Sequence, residues 1–313
     1  MCVANCCFPQ KSAIRHPQAD VNDLFFSGRF GTSRLVKQCL NVPTWQGVLA
    51  LLTLAGVTML PAATVCAGQA PRDGYRVHIF SKSRKTTTKN LIDHGGPVLP
   101  TTTAYVIYWG NVPTDVSDAL ATFLGGFGGS SYANILTQYM RGGSVPETAY
   151  APLAPDPSSP PVRSPKISTI VNEVCHTLGN TPPDPKGIYF VVTGNFPKGG
   201  GFCAWHSFGT CNGVSIPVVY LPNVTGVSVC DIVSVPVNPF MNGGQSMAND
   251  AAHELSETIT DPFISAWYDQ SGAEVGDKCE TRYGSPVALS DGSEWSLQEE
   301  WSNIAGGCIQ SLP

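Results

Sequence analysis

The sequence predicts an α/β protein in which a mixed β-sheet is flanked by helices and held by disulfides. Three observations carry this reading. Residues 104–110 and 187–193 are rich in β-branched and aromatic side chains without clean alternation, so they read as strands covered on both faces. Between and after them lie segments with apolar residues at helical spacing. Beyond residue 67 the chain holds six cysteines (Cys175, Cys203, Cys211, Cys230, Cys279 and Cys308), an even number with no Cys-x-x-Cys pair, as a disulfide framework requires.

Residues 1–67 are expected to stay outside the fold. Residues 48–65 are uncharged and apolar, with Arg34 and Lys37 upstream and small residues, Cys66-Ala67-Gly68, at the end. That pattern fits a cleaved signal peptide with a long leader; Pro61 and the Ala-rich end favour cleavage over a signal anchor. Without it the chain carries 13 Lys and Arg against 21 Asp and Glu, a net charge of −8. Such a balance argues against nucleic acid as a partner. A membrane would be met only through an uncleaved leader.

Residues 68–92 are polar, with a basic patch at Lys82-Ser83-Arg84-Lys85, and read as a mobile segment ahead of one domain over residues 93–313. The turn His94-Gly95-Gly96-Pro97 leads into the first buried strand. Thr114 is placed to cap a helix over residues 115–124, with Asp115 and Asp118 in its first turn and glycines after it. A short helix is expected over residues 132–139. The seven prolines in residues 141–165 predict a loop. Ile167, Ile170, Val171, Val174 and Leu178 mark a helix over residues 166–178, stopped by Gly179. After the second strand, Cys203 and Cys211 are near enough in sequence for a local disulfide closing a loop that carries His206. Cys175 with Cys230 is then left by subtraction. Residues 214–221 form a third strand that Pro217 pushes towards a sheet edge. Asn223-Val224-Thr225 is a glycosylation sequon in a turn context.

The most informative stretch is Ala252-His253-Glu254-Leu255-Ser256-Glu257-Thr258-Ile259-Thr260-Asp261-Pro262. On a helix over residues 246–260, His253 and Glu257 project from one face and Asp261 continues the stripe. The arrangement resembles that of zincins, in which a helix offers two metal ligands one turn apart and a Glu between them acts as general base; Glu254 takes that catalytic position here. The second ligand is a Glu rather than a His, which suits zinc but also calcium. Glu274 and Asp277, on a glycine-rich loop, and His206 are further candidate metal ligands. The bland alternative is an acidic helix face whose Glu257 or Asp261 pairs with Lys278 or Arg282.

Several of these segments occur together, in order, in one known family. His94-Gly95-Gly96-Pro97-Val98, residues 105–109, residues 187–193, Phe202-Cys203 with Trp205-His206, His253-Glu254-Leu255-Ser256-Glu257, Thr260-Asp261-Pro262, Ala266-Trp267-Tyr268 and Asp277-Lys278-Cys279 resemble the EXORDIUM-type, or phosphate-induced, proteins of plant cell walls. The likeness covers about residues 93–308. It implies a secreted, disulfide-containing protein of the apoplast or wall, linked to growth or wall signalling, with extracellular or wall components as partners. It implies no defined reaction. Alongside it stand a zinc-dependent hydrolase built on the His253 helix and a wall-adhesion module using Trp267, Tyr268 and Trp301. There is no Gly-x-Ser-x-Gly, P-loop or dinucleotide fingerprint. Cys279 and Cys308 bracket the C-terminal segment and are expected to pair.

The leader reading predicts a mature N-terminus near Gly68. Terminal sequencing of the secreted protein checks it, and a terminus upstream of Val48 contradicts it.

Overall fold

The computed structural model describes residues 76–78, 89–232 and 243–312. The expected leader and the basic patch at residues 82–85 lie outside the described residues. The chain runs through β1 (Arg76–His78), β2 (Ile92–Asp93), β3 (Thr101–Trp109), α1 (Thr114–Phe127), a 3-10 helix (Ala133–Tyr139), β4 (Glu147–Pro152), α2 (Ile167–Leu178), β5 (Gly187–Thr193), β6 (Ala204–Cys211), β7 (Val214–Pro222) and α3 (Gly243–Thr260). Then come β8 (Trp267–Tyr268), a 3-10 turn (Asp277–Cys279), β9 (Val287–Ala288), β10 (Glu294–Trp295), β11 (Glu300–Ser302) and β12 (Gly307–Ile309).

The main sheet has six strands in the order β1-β6-β7-β5-β3-β4. Its β7, β5, β3 and β4 are parallel, and β6 and β1 are antiparallel additions, so the sheet is mixed. Side-chain alternation divides the core in two. Ala104, Val106, Ile188, Phe190, Val192, Val219 and Leu221 face α1 and α3. Ile107, Trp109, Tyr189, Val191, Val218 and Tyr220 face α2 through Ile170, Val171 and Val174. Both faces of β5 are therefore buried, which explains its unalternated sequence.

Several expectations are corrected. Residues 204–211 are not a closed loop but the strand β6, paired along its length with β7. A strand of that length separates Cys203 from Cys211 by roughly 26 Å at about 3.3 Å per residue, far beyond the reach of a disulfide. Cys211 instead bonds Cys175 on α2, with Cα atoms 5.5 Å apart, and Cys203 bonds Cys230 at 5.4 Å. The pairs Cys203–Cys211 and Cys175–Cys230 are thus replaced. Cys279 bonds Cys308.

β7 lies inside the sheet, not at its edge. Pro217 precedes the first register pair with β5, Tyr189 opposite Val218, so the parallel ladder does not call on its missing amide. The proline-rich stretch contributes β4, which is an edge strand and tolerates Pro152 at its end. Residues 76–78 of the polar segment pair with β6 as β1, the strand at the other edge. The first helix begins at Thr114 itself, after Pro113, with no side-chain cap. Asn223 directly follows β7, is half-buried, and its side-chain oxygen accepts from the Thr225 amide.

The three candidate adhesion aromatics differ in burial: Trp301 is buried, and Trp267 and Tyr268 are half-buried. Trp301 is buried, with Lys278 Nζ 4.2 Å above its ring. Trp267 packs edge-on against Tyr139, and Tyr268 stacks on His94 at 3.7 Å. β2 pairs with β8, which brings the His94–Pro97 turn against the segment after α3. Gly96 donates to Ser265 O at 2.9 Å. A Cβ on Gly96 would meet Ser265 Oγ at 2.3 Å, so this approach requires glycine.

The Cys279–Cys308 bond spans 29 residues. Loop-closure entropy for that length is about 3–4 kcal/mol. Cys308→Ser should lower the unfolding free energy by roughly that amount in a denaturant titration; a loss below about 1 kcal/mol contradicts the entropic account.

Candidate metal centre

α3 is buried over its whole length, yet it is not apolar all round. Leu255 and Ile259 join the core, while Asp250, His253, Glu254 and Glu257 form a polar stripe at i, i+3, i+4 and i+7. Opposite that stripe stands His206 of β6. It shares a face with Ala204 and pairs in register with Val219, both of which face α3. The 3-10 turn Asp277–Cys279 and the loop before it close the cluster.

The distances are short. His206 Nδ1 lies 3.2 Å from Glu254 Oε2 and 3.4 Å from Glu257 Oε2, and its Nε2 lies 3.7 Å from Glu274 Oε1. His253 Nε2 lies 3.2 Å from Glu257 Oε1, which also accepts the Asp277 amide at 3.0 Å. Asp277 Oδ2 accepts the Glu274 amide at 3.2 Å. Two overlapping groups, His206–Glu254–Glu257 and His253–Glu257–Asp277, hold their ligand-type atoms within 4.8 Å of one another. All five residues are buried.

Of the expected ligands, His206, His253, Glu257, Glu274 and Asp277 come together, with Glu254. Asp261 does not join them. Its Oδ1 accepts the amides of Ser265 at 2.5 Å and Ala266 at 2.7 Å, so it shapes the loop leading to β8. That loop holds Ile264 at φ 53°, a conformation β-branched residues rarely adopt. The expected alternative pairs are also not formed: Lys278 Nζ bonds Asp269 Oδ2 at 3.2 Å and Arg282 Nε bonds Glu299 Oε2 at 3.0 Å.

No protein-family model, curated protein or solved structure matches the chain. What the centre can do follows from its charges. Two imidazoles face at least four carboxylates, and burying an ionised carboxylate costs several kcal/mol unless it is neutralised. Burial disfavours the His206 imidazolium, but the charge of Glu274 and hydrogen bonds to Glu254 and Glu257 outweigh it and hold its pKa well above the usual value. At His253 burial is likewise outweighed, here chiefly by Glu257. Burial pushes Glu254 up despite both imidazoles. At Glu257 burial loses to His253 and His206, and the pKa falls well below the usual range. Positive charge is what this pocket lacks.

Three residues of the centre carry no sequence signal strong enough to have been singled out. Gln298 Nε2 contacts His253 Nδ1 at 2.9 Å and donates to Gly276 O at 3.0 Å. Glu300 Oε1 accepts from Tyr132 Oη at 2.8 Å. Asp250 is fully buried and its carboxyl is pushed well up by burial; its place four residues before Glu254 on the helix was the available clue. Gly276 abuts His253, and a Cβ there would meet Nδ1 at 2.6 Å.

Burial, opposed by His253 and Tyr132 and aided by Glu257 and Asp277, pushes Glu300 from 4.5 up to about 8. The folded state keeps a proton that the unfolded chain releases, so this stabilisation is complete below about pH 4.5 and is lost as pH rises towards 8. In chelator, Glu300→Gln should melt higher than the parent at pH 8, and the gap should close at pH 5. A gap that is equal at both pH values contradicts this. Gly276→Ala should displace the His253 ring and destabilise the protein by roughly 1–3 kcal/mol through overpacking, read in a thermal melt.

Proposed function

We propose that this chain is a secreted, disulfide-stabilised protein of the EXORDIUM type, acting among cell-wall or apoplastic components, whose domain is locked by a divalent cation in the buried His/carboxylate centre. The observation that carries the reading is the convergence of His206, His253, Glu254, Glu257 and Asp277 in a fully buried cluster with too little positive charge. A cation neutralises the excess carboxylates without further protons. The segments behind the family resemblance support it as well. The strands β3 and β5 are interior strands of the sheet, His206 and the His253 helix face each other, and the Asp277–Cys279 turn closes the centre. Three disulfides suit an oxidising, extracellular setting. Among the described residues no helix is long and apolar enough to cross a membrane.

A hydrolase using Glu254 as general base is less well supported. Catalytic zinc keeps one position open to water and substrate, whereas the side chains of His206 and Glu254 are 0% and 1% exposed. Glu254 is also within reach of His206 as a member of the donor set, which leaves it no separate role as a base. For the wall-adhesion reading, Trp301 is buried and Trp267 packs against the core, which leaves only the half-buried Tyr268.

Metal analysis of protein purified without chelator should find about one divalent ion per chain. A cation at about 100 times its Kd adds roughly 2.7 kcal/mol, so chelation should lower the melting temperature by roughly 5–10 °C. Protein that is metal-free as purified and unaffected by added zinc, calcium or chelator contradicts the proposal.

A further inference from the structure

The two overlapping ligand groups share Glu257 but differ in what their atoms already hold. In the group around His253 the imidazole and Glu257 Oε1 are already in use. The Gln298 amide nitrogen carries two hydrogens; one goes to Gly276 O at 3.0 Å and the other to His253 Nδ1 at 2.9 Å. The amide cannot be turned over, because its oxygen would then face the Gly276 carbonyl. His253 Nδ1 is therefore an acceptor and the ring proton sits on Nε2, which donates to Glu257 Oε1 at 3.2 Å. The same oxygen accepts the Asp277 amide at 3.0 Å, so both of its lone pairs are engaged. Neither His253 Nε2 nor Glu257 Oε1 has a lone pair to give a cation.

The group around His206 differs: Nδ1 also lies within hydrogen-bond distance of Glu254 Oε2, at 3.2 Å, but no hydrogen-bond partner on Nε2 fixes the tautomer of the ring. Glu254 Oε1 is buried with no hydrogen-bond partner among the described residues, and so is His206 Nε2. Buried polar atoms in that state are uncommon and call for a ligand or a water. His206 Nδ1, Glu254 Oε2 and Glu257 Oε2 are separated by 3.2 and 3.4 Å about the imidazole nitrogen. Two ligands of a tetrahedral ion with bonds of about 2.0–2.1 Å lie roughly 3.3–3.4 Å apart.

We propose that the cation is held by His206 Nδ1 with Glu254 and Glu257 Oε2, and that His253, with Gln298 behind it, is a positioning residue that fixes Glu257 through its other oxygen. This rests on the cation-binding reading above and gives it a ligand set and a metal class. With Nδ1 on the ion, the proton of His206 resides on Nε2, facing Glu274 Oε1 at 3.7 Å. Metal-bound imidazoles are commonly backed by a carboxylate in this way. A nitrogen donor and a small number of carboxylate oxygens suit zinc-class ions, whereas calcium takes six to eight oxygens.

X-ray absorption on the zinc-loaded full chain tests this without any variant. One imidazole per zinc is expected; two, or none, overturn the assignment. Zinc titration of two variants tests it again. His206→Gln should weaken zinc binding by at least about 100-fold. His253→Gln keeps an N–H donor for Glu257 and should weaken it less than about 10-fold, in the range of outer-shell substitutions. The opposite order overturns the proposal, as does calcium outcompeting zinc in the parent protein. A parent chain that takes up no zinc at all defeats the underlying cation reading instead, so the two failures are distinguishable.

Discussion

The constraint on which this structure depends is the burial of carboxylates along one helix. α3 carries Asp250, Glu254 and Glu257 through the interior with His253 among them, and none reaches solvent. Each would cost several kcal/mol as an isolated buried charge. The surrounding elements can be understood as the means of meeting that cost. β6 delivers His206 from the sheet, the Asp277–Cys279 turn delivers the Asp277 amide, and the segment before β11 delivers Gln298. The apolar core packs around this polar centre rather than excluding it.

Disulfide placement fits the same picture. Cys203–Cys230 fixes the chain just before β6, one end of the strand that carries His206, and Cys175–Cys211 ties the other end to α2. Cys279–Cys308 holds the 3-10 turn whose Asp277 amide reaches Glu257. Three bonds thus restrain the strand and the turn that face α3. Lys278, within that turn, has a separate function: it pairs with Asp269 and lies over Trp301.

Much of this was legible in the chain. β5 announced itself through a β-branched run covered on both faces, α2 through its apolar spacing and Gly179, and the polar stripe of α3 through the four-residue interval between His253 and Glu257. Other features had no local signal. β6 is built from Trp, His, Ser, Phe and Gly rather than Val and Ile, so its extended state depends on β7 and not on its own propensity. Read as a loop, this segment brings Cys203 and Cys211 together; as a strand it holds them apart. Gln298 meets His253 across 45 residues, and no periodicity reports such a contact. Asp261 sat on the right stripe, but the following Pro262 turns the chain, and loop amides take its carboxylate before the centre does.

The zincin likeness of the His253 helix shows what helical spacing alone can and cannot specify. Spacing on a helix places two side chains on one face, but which of their atoms has a lone pair to offer is decided by distant partners. Here Gln298 and the Asp277 amide occupy the His253 side of Glu257, and the remaining side faces His206. The most direct measurement is an anomalous difference map from crystals of the zinc-loaded protein, recorded at the zinc edge. The account predicts one peak within bonding distance of His206 Nδ1, Glu254 and Glu257 Oε2. A peak on His253 Nε2, or no peak in the cluster at all, would contradict it.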